Sequence, residues 1–132
     1  MRRYLLDTNA ASDRVFRRKG VHERVKTARK AGDRIGIVLG ELFAGVEYSS
    51  TRDKNLETFE RNIGLFRLWP FTPEAARLYG RIFAELRRIG RTIQQIDIQI
   101  AAIALSLGSC TVVSSDPDLT AVPGLKVENW AS

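Results

Sequence analysis

Short apolar runs recur along the chain, separated by longer stretches in which apolar residues return at helical spacing. Tyr4-Leu5-Leu6 is the first run. It leads into Asp7-Thr8-Asn9, residue types that favour helix caps, so a strand followed by a helix is expected. Val21, Val25 and Ala28 fall at i, i+4 and i+7, a helical stripe that Gly32 can end. Ile35-Gly36-Ile37-Val38 predicts a second strand. Glu41 through Tyr48, with Leu42, Phe43 and Val46, predicts a helix, and Leu56, Phe59 and Ile63 make the face of another. Leu65-Phe66-Arg67-Leu68-Trp69 stops at Pro70 and predicts a third strand. Thr72-Pro73 is a good helix entry, a cap followed by a first-turn proline. The helix it opens carries Leu78, Ile82, Leu86 and Ile89 in a stripe widened by Tyr79 and Phe83, and Gly90 closes it. Asp97 opens a further helix running to Leu107. That helix is apolar on nearly every side, which marks it as buried, and Gly108 stops it. Cys110-Thr111-Val112-Val113 predicts a fourth strand and Leu125 to Val127 a fifth.

Strand and helix thus alternate. Continuous apolar strands separated by helices imply a mostly parallel sheet of four to five strands, covered by helices on both faces in three α/β/α layers. No linker, repeat or low-complexity stretch divides the chain, so residues 1–132 read as a single domain. Ser114 to Gly124, with Pro117 and Pro123, is the longest piece expected to be irregular.

Composition narrows the class. With 132 residues, 44% of them hydrophobic, the chain is long enough to bury one core without disulfides or a structural metal. Its one cysteine, Cys110, excludes a disulfide framework and any Cys-based zinc cluster, and a reducing, cytoplasmic setting is expected. No signal-peptide apolar region follows Met1, and Ile98 to Leu107 is too short to span a bilayer, so no membrane partner is expected. Lys and Arg outnumber Asp and Glu by 21 to 15, a net charge of +6. Nine of the cations fall between Arg14 and Arg34. A second group comprises Arg77, Arg81, Arg87, Arg88 and Arg91. Such runs are either solvated helix faces or a surface for a polyanion.

Against that basic background, acids collect where chemistry is expected. In open parallel sheets, sites form beyond the carboxyl ends of the strands. Asp7 follows the first strand, Glu41 the second, and Asp116 and Asp118 the fourth; Asp97 heads the buried helix. Two carboxylates about 4 Å apart repel by roughly 4 kcal/mol at an effective dielectric of about 20. Several together take up protons or bind a cation, and hard oxygen ligands select Mg²⁺ or Mn²⁺. A basic surface beside an acidic, metal-loaded pocket suits phosphodiester cleavage. Each acid also has a plainer role open to it. Asp7 and Asp97 can cap helices, Glu41 can complement a helix dipole, and Asp116 can serve a turn. Thr8 and Ser114 are candidate supporting hydroxyls. His22, the only histidine, sits among cations and offers no triad, and no glycine-rich phosphate loop is present.

The ordered set of segments resembles the PIN-domain ribonucleases, in particular the VapC-type toxins of bacterial toxin–antitoxin pairs. Tyr4-Leu5-Leu6-Asp7-Thr8-Asn9 is similar to the family's opening strand and first acid. Gly40-Glu41-Leu42-Phe43-Ala44-Gly45 is similar to the second acidic segment, and Gly90-Arg91-Thr92-Ile93 with Asp97-Ile98-Gln99-Ile100-Ala101-Ala102 to the third. Val122-Pro123-Gly124 through Trp130 is similar to a closing strand. Ser114-Ser115-Asp116-Pro117-Asp118 is one residue tighter than the family's fourth step. Counting back from Val122 puts that step on Ser115; counting forward from Val113 puts it on Asp116, the preferred residue, with Asp118 in reserve.

The resemblance implies a single PIN domain over residues 1–132, commonly dimeric. It implies an endoribonuclease that cuts single-stranded regions of transfer or ribosomal RNA with Mg²⁺, for which Mn²⁺ can substitute. Asp7 and Asp97 would hold the metal, and Glu41 and Asp116 would complete the catalytic pocket. A cognate antitoxin would cover the site, with Phe43, Tyr48 and the helix near Phe59 as a suggested groove. The irregular fourth step leaves one alternative, an inactive RNA-binding or regulatory subunit that keeps the fold. A phosphoacceptor domain or a haloacid-type phosphatase would need a lysine or a second Asp that the sequence lacks at the required places.

Overall fold

The computed structural model describes residues 1–132. Five strands form one sheet: β1 (Arg3–Leu6), β2 (Arg34–Ile37), β3 (Arg67–Leu68), β4 (Cys110–Val113) and β5 (Lys126–Glu128). Their spatial order is β3-β2-β1-β4-β5, and every neighbouring pair is parallel. Six helices connect them: α1 (Thr8–Val15), α2 (Val21–Lys30), α3 (Leu39–Tyr48), α4 (Arg52–Ile63), α5 (Pro73–Arg88) and α6 (Gln95–Leu107).

The two-residue period of the strands feeds two cores. Tyr4 and Leu6 of β1 turn to one face and join Ile35, Ile37 and Val113 against α1 to α4. Leu5 turns to the other and joins Val112 and Cys110 against α5 and α6. Both faces of β1 and β4 are therefore closed to water, which is why these strands are apolar throughout rather than alternating. α6 presses Ile98, Ile100, Ala101, Ala102 and Ile103 inward, each almost fully buried. Burying one such isoleucine contributes about 1.5–3 kcal/mol. Helix ends follow local chemistry. The Ala75 N–H donates to Thr72 Oγ1 at 3.1 Å, with Pro73 in the first turn. Trp69 lies so close over Gly36 of β2 that a Cβ there would sit 2.3 Å from its ring.

Boundaries differ from the sequence expectation in several places; β2 moves back one residue to Arg34–Ile37 and β5 forward one to Lys126–Glu128. β3 shortens from Leu65–Trp69 to Arg67–Leu68, because the Leu65 and Phe66 N–H groups turn back to the carbonyls of Asn62 and Ile63 as α4 ends. α3 begins at Leu39, two residues ahead of Glu41. α6 begins at Gln95 rather than Asp97: the N–H groups of Asp97 and Ile98 both reach back to Gln94 O, so Asp97 lies in the first turn and is not the cap. The stretch after β4 holds a 3₁₀ turn, Pro117–Ala121, capped by Asp116. No helix is long and apolar enough to cross a membrane.

Candidate active site

The chain leaves the sheet in opposite directions on the two sides of the β1–β4 seam. β2 and β3 lie on one side and β5 on the other. Beyond the carboxyl ends of these central strands the backbone opens a crevice, the usual ligand position in parallel sheets. The Asp7 N–H donates to Val113 O at 3.0 Å, continuing the ladder one step past β1 and fixing Asp7 beside Ser114.

Asp7 is only 4% exposed. One of its carboxylate oxygens, Oδ1, accepts from the Ala10 N–H at 2.9 Å and caps α1. Burial pushes its carboxyl above the usual aspartate value. The Ser114 hydroxyl and the Ala10 N–H pull it down, while Asp116 and Asp13 push it up. The buried Ser114 Oγ accepts from the Asp116 N–H at 2.9 Å, leaving its own proton to face Asp7. Asp7 therefore caps α1 and is also the most deeply buried acid beside the β4 end.

Asp97 reaches the same place from α6. Its carboxyl is pushed up to about 6, first by burial and then by the charges of Asp116, Asp7 and Asp118. Asp116 is thus felt by both Asp7 and Asp97. Asp118 is felt by Asp97, but Arg91 holds its Oδ1 at 3.0 Å. Ser115 is exposed and touches none of this. Asp116 Oδ1 also accepts from the Asp118 N–H at 2.9 Å, so it keeps its turn role while leaving one oxygen free.

Glu41 stands apart. It lies in the first turn of α3, exposed, and is not among the charges that displace Asp7 or Asp97. Together with Thr8 and Asn9 it lines a neighbouring cleft of about 530 Å³ that runs to Val46, Asn55 and Phe59. The suggested apolar groove is redrawn by this arrangement. Phe59 is core, and Phe43 packs edge-on against it with ring centroids 4.8 Å apart. Tyr48 is 94% exposed and lies outside the cleft. Packing of α3 on α4 consumes the apolar face that the sequence pattern left open.

No three acidic, His or Cys side chains converge as a preformed ligand set. The donors at the seam are nonetheless of the kind a hard divalent cation takes. Mg²⁺ keeps several waters and is held by only one or two carboxylates. Beyond the effect of burial, the part of the Asp97 displacement due to Asp116, Asp7 and Asp118 marks negative charge that a bound cation would relieve. Two residues missed in the sequence pattern also bear on the seam. Asp13 is buried, pairs with Arg18 at 3.2 Å and adds its field to Asp7. Arg91 restrains Asp118. The Arg91–Asp118 pair joins residues 27 apart, which spacing could not reveal, whereas Asp13 and Arg18 are five apart and only the burial of Asp13 was hidden.

Residues 4–125 match the family model described as "PIN domain". The chain is 31% identical over 132 residues to the ribonuclease VapC2 of Haemophilus influenzae, covering 98% of this chain and 99% of that protein. It is 30% identical over 136 residues to the tRNA(fMet)-specific endonuclease VapC of Salmonella typhimurium, covering 98% and 99%. A solved structure of DNA-bound VapBC from Salmonella typhimurium superposes with a TM-score of 0.88 at 29% identity, covering 99% of this chain and 100% of that one.

Proposed function

The chain belongs to the PIN domain family and is similar along its whole length to VapC ribonucleases, and from that premise we propose that it is the ribonuclease toxin of a toxin–antitoxin pair, cutting RNA at the β1–β4 seam. Its expected partner is a cognate antitoxin, as in the VapBC assembly it resembles. The finer reading is an endonuclease that hydrolyses phosphodiester bonds in single-stranded regions of structured RNA, transfer or ribosomal, with Mg²⁺ as cofactor. The observation that carries it is Asp97: a half-buried carboxylate held near pKa 6 by its burial and then by three other acids, at a crevice at the switch in strand order.

In this reading Asp7 and Asp97 hold the metal, and Asp116 completes the pocket from the far side of β4. When bound, the ion polarises the phosphoryl oxygen and lowers the pKa of water. The chain's own residues do the rest. Asp7 is fixed in one orientation by its helix-cap bond and by Ser114, so its free oxygen is presented without the cost of ordering a mobile side chain. Asp116, anchored through Oδ1, offers its other oxygen to the proton released as water attacks phosphorus. The P–O bond to the leaving ribose oxygen breaks, and that oxygen takes up a proton from solvent in the open crevice. Glu41 and Thr8 line the neighbouring cleft, beside the seam rather than in it.

The separation of Glu41 from the other acids favours one second reading, an RNA-binding PIN subunit that has lost chemistry. One experiment separates the two. Purified protein is incubated with RNA in Mg²⁺ or EDTA, beside Asp7→Asn and Asp97→Asn. The nuclease reading expects cutting in Mg²⁺ alone, reduced at least about a hundredfold in each variant. Cutting that persists in EDTA and in both variants overturns the metal site. Intact RNA under every condition, with binding retained, selects the inactive subunit.

A further inference from the structure

We propose that the pocket formed by Arg14, His22, Lys26, Arg29 and Lys30 is a phosphate-binding site that anchors the backbone of bound RNA away from the acidic seam. This deepens the ribonuclease reading and rests on it for the identity of the polyanion.

The pocket encloses about 180 Å³; all five residues lining it are basic side chains, which wall it mainly with their carbon stems, and none is acidic. Arg14 is only 4% exposed, yet no carboxylate lies within ion-pair distance of it. Its Nη1 donates to Asn62 Oδ1 at 3.3 Å, and its Nε has no acceptor. His22 Nδ1 is likewise buried without a partner. A desolvated cation lacking a counter-ion is unfavourable. Here burial, Arg29 and Arg17 together hold Arg14 below its ordinary pKa. Glu23 is the one carboxylate whose field reaches both Arg14 and His22, and it forms no ion pair with any of the group.

The cations are positioned without being neutralised. Arg14 and Arg29 both lie against the Phe66 ring, 5.6 and 5.1 Å from its centroid, and Arg29 also donates to Leu65 O. His22, Lys26, Arg29 and Lys30 share one stripe of α2, at spacings where like charges destabilise a helix. A stripe arranged against its own stability, and closed by a buried arginine from α1, lacks a ligand with acceptors on several sides. A phosphate group supplies them, and guanidinium forks suit its oxygens. Arg14 follows the cap residue Asp7 by seven positions, a rise of about 10 Å along α1, which is the axial offset a strand bound at both sites would span.

The test reads binding, not cutting, and so stays informative if the nuclease reading fails. Labelled single-stranded RNA is titrated in EDTA with the full chain, with Lys26→Gln/Lys30→Gln and with Arg14→Gln; the lysines are exposed, so the double variant keeps the fold should the buried arginine not be replaceable. Arg81→Gln/Arg87→Gln on α5 is the control for overall charge. The double variant is expected to weaken binding about five- to tenfold and to lower the slope of log K against log salt by about 1.4, with the control within about twofold. In parallel, inorganic phosphate is titrated against chloride at equal ionic strength while the ring resonances of His22, the chain's only histidine, are followed by NMR. A saturating shift supports the site. A shift with RNA binding unchanged in the lysine variant overturns the RNA anchor and assigns the pocket to a free phosphate-type anion. No shift, or equal losses in variant and control, overturns the proposal.

Discussion

Arg91, just beyond the end of α5, holds the carboxylate of Asp118 at 3.0 Å across the head of α6, drawing one acid of the seam aside. The pair is nearly half exposed on both sides, so it adds at most about 1 kcal/mol to stability. Its effect is instead local. Arg91→Gln is expected to free the Asp118 charge beside Asp97 and raise the Asp97 carboxyl above its value of about 6. Carboxyl-carbon NMR across a pH series checks this. An unchanged Asp97 titration would show that Arg91 does not shape the seam.

Asp97 should weaken the metal-free protein as pH rises. Its folded pKa of about 6 lies above its ordinary 3.8, so the folded state binds more protons between those values. The stability that this group contributes is complete below about pH 4 and is lost as pH rises through about 6. Asp97→Asn is therefore expected to stabilise the chain in EDTA above about pH 6, by about 0.5–1 kcal/mol once solvent screening of this half-exposed group is allowed for, while abolishing cleavage. Urea unfolding at acidic and slightly alkaline pH measures it. A variant that is less stable than wild type at the higher pH contradicts the assignment.

Asp7 combines two duties that different substitutions separate. Asn caps a helix as well as Asp does, whereas Ala costs about 1 kcal/mol. Asp7→Asn should unfold at wild-type denaturant concentrations and lose cleavage; Asp7→Ala should lose both. Equal destabilisation in the two variants would mean that the Ala10 bond contributes little.

Divalent ions should raise the melting temperature and flatten its pH dependence together, because a cation at the seam relieves the repulsion that lifts Asp97. At about one hundred times the dissociation constant, binding adds about 2.7 kcal/mol. Thermal unfolding in Mg²⁺, Mn²⁺ and EDTA checks this, and an unaltered melting curve in Asp97→Asn completes the comparison.

Gly36→Ala should expel Trp69. The added methyl would sit 2.3 Å from the ring, and β2 cannot retreat while paired on both sides. A cost of about 1–3 kcal/mol and red-shifted tryptophan fluorescence are expected. Unchanged emission would mean that the ring finds another berth without loss.

The fold was readable in the sequence wherever an element is wholly buried or plainly capped. β1, β4 and α6 announce themselves by predominantly apolar runs, and α5 by Thr72-Pro73 and Gly90. Boundaries failed where the backbone rather than a side chain sets them. Gln94 starts α6 through its carbonyl, which no residue preference signals, and β3 loses Leu65 and Phe66 to the turn closing α4. Within the candidate site, the strand-end rule located Asp7 and the Asp116 region. What it did not reveal were distances across the seam: that Glu41 faces a separate cleft, that Arg91 claims Asp118, and that Arg14, one of the nine cations between Arg14 and Arg34, is the one sealed from water.

Strand order has a consequence for how such a chain can be made safely. β1 carries Asp7 but pairs with β4, which is synthesised more than a hundred residues later, after Asp97 and just ahead of Asp116. A growing chain that has not yet emerged as far as Cys110 holds the first acid against an unfinished sheet, with no seam for the others to enter. The proposed acidic seam is thereby withheld until β4 and the turn that carries Asp116 have been made.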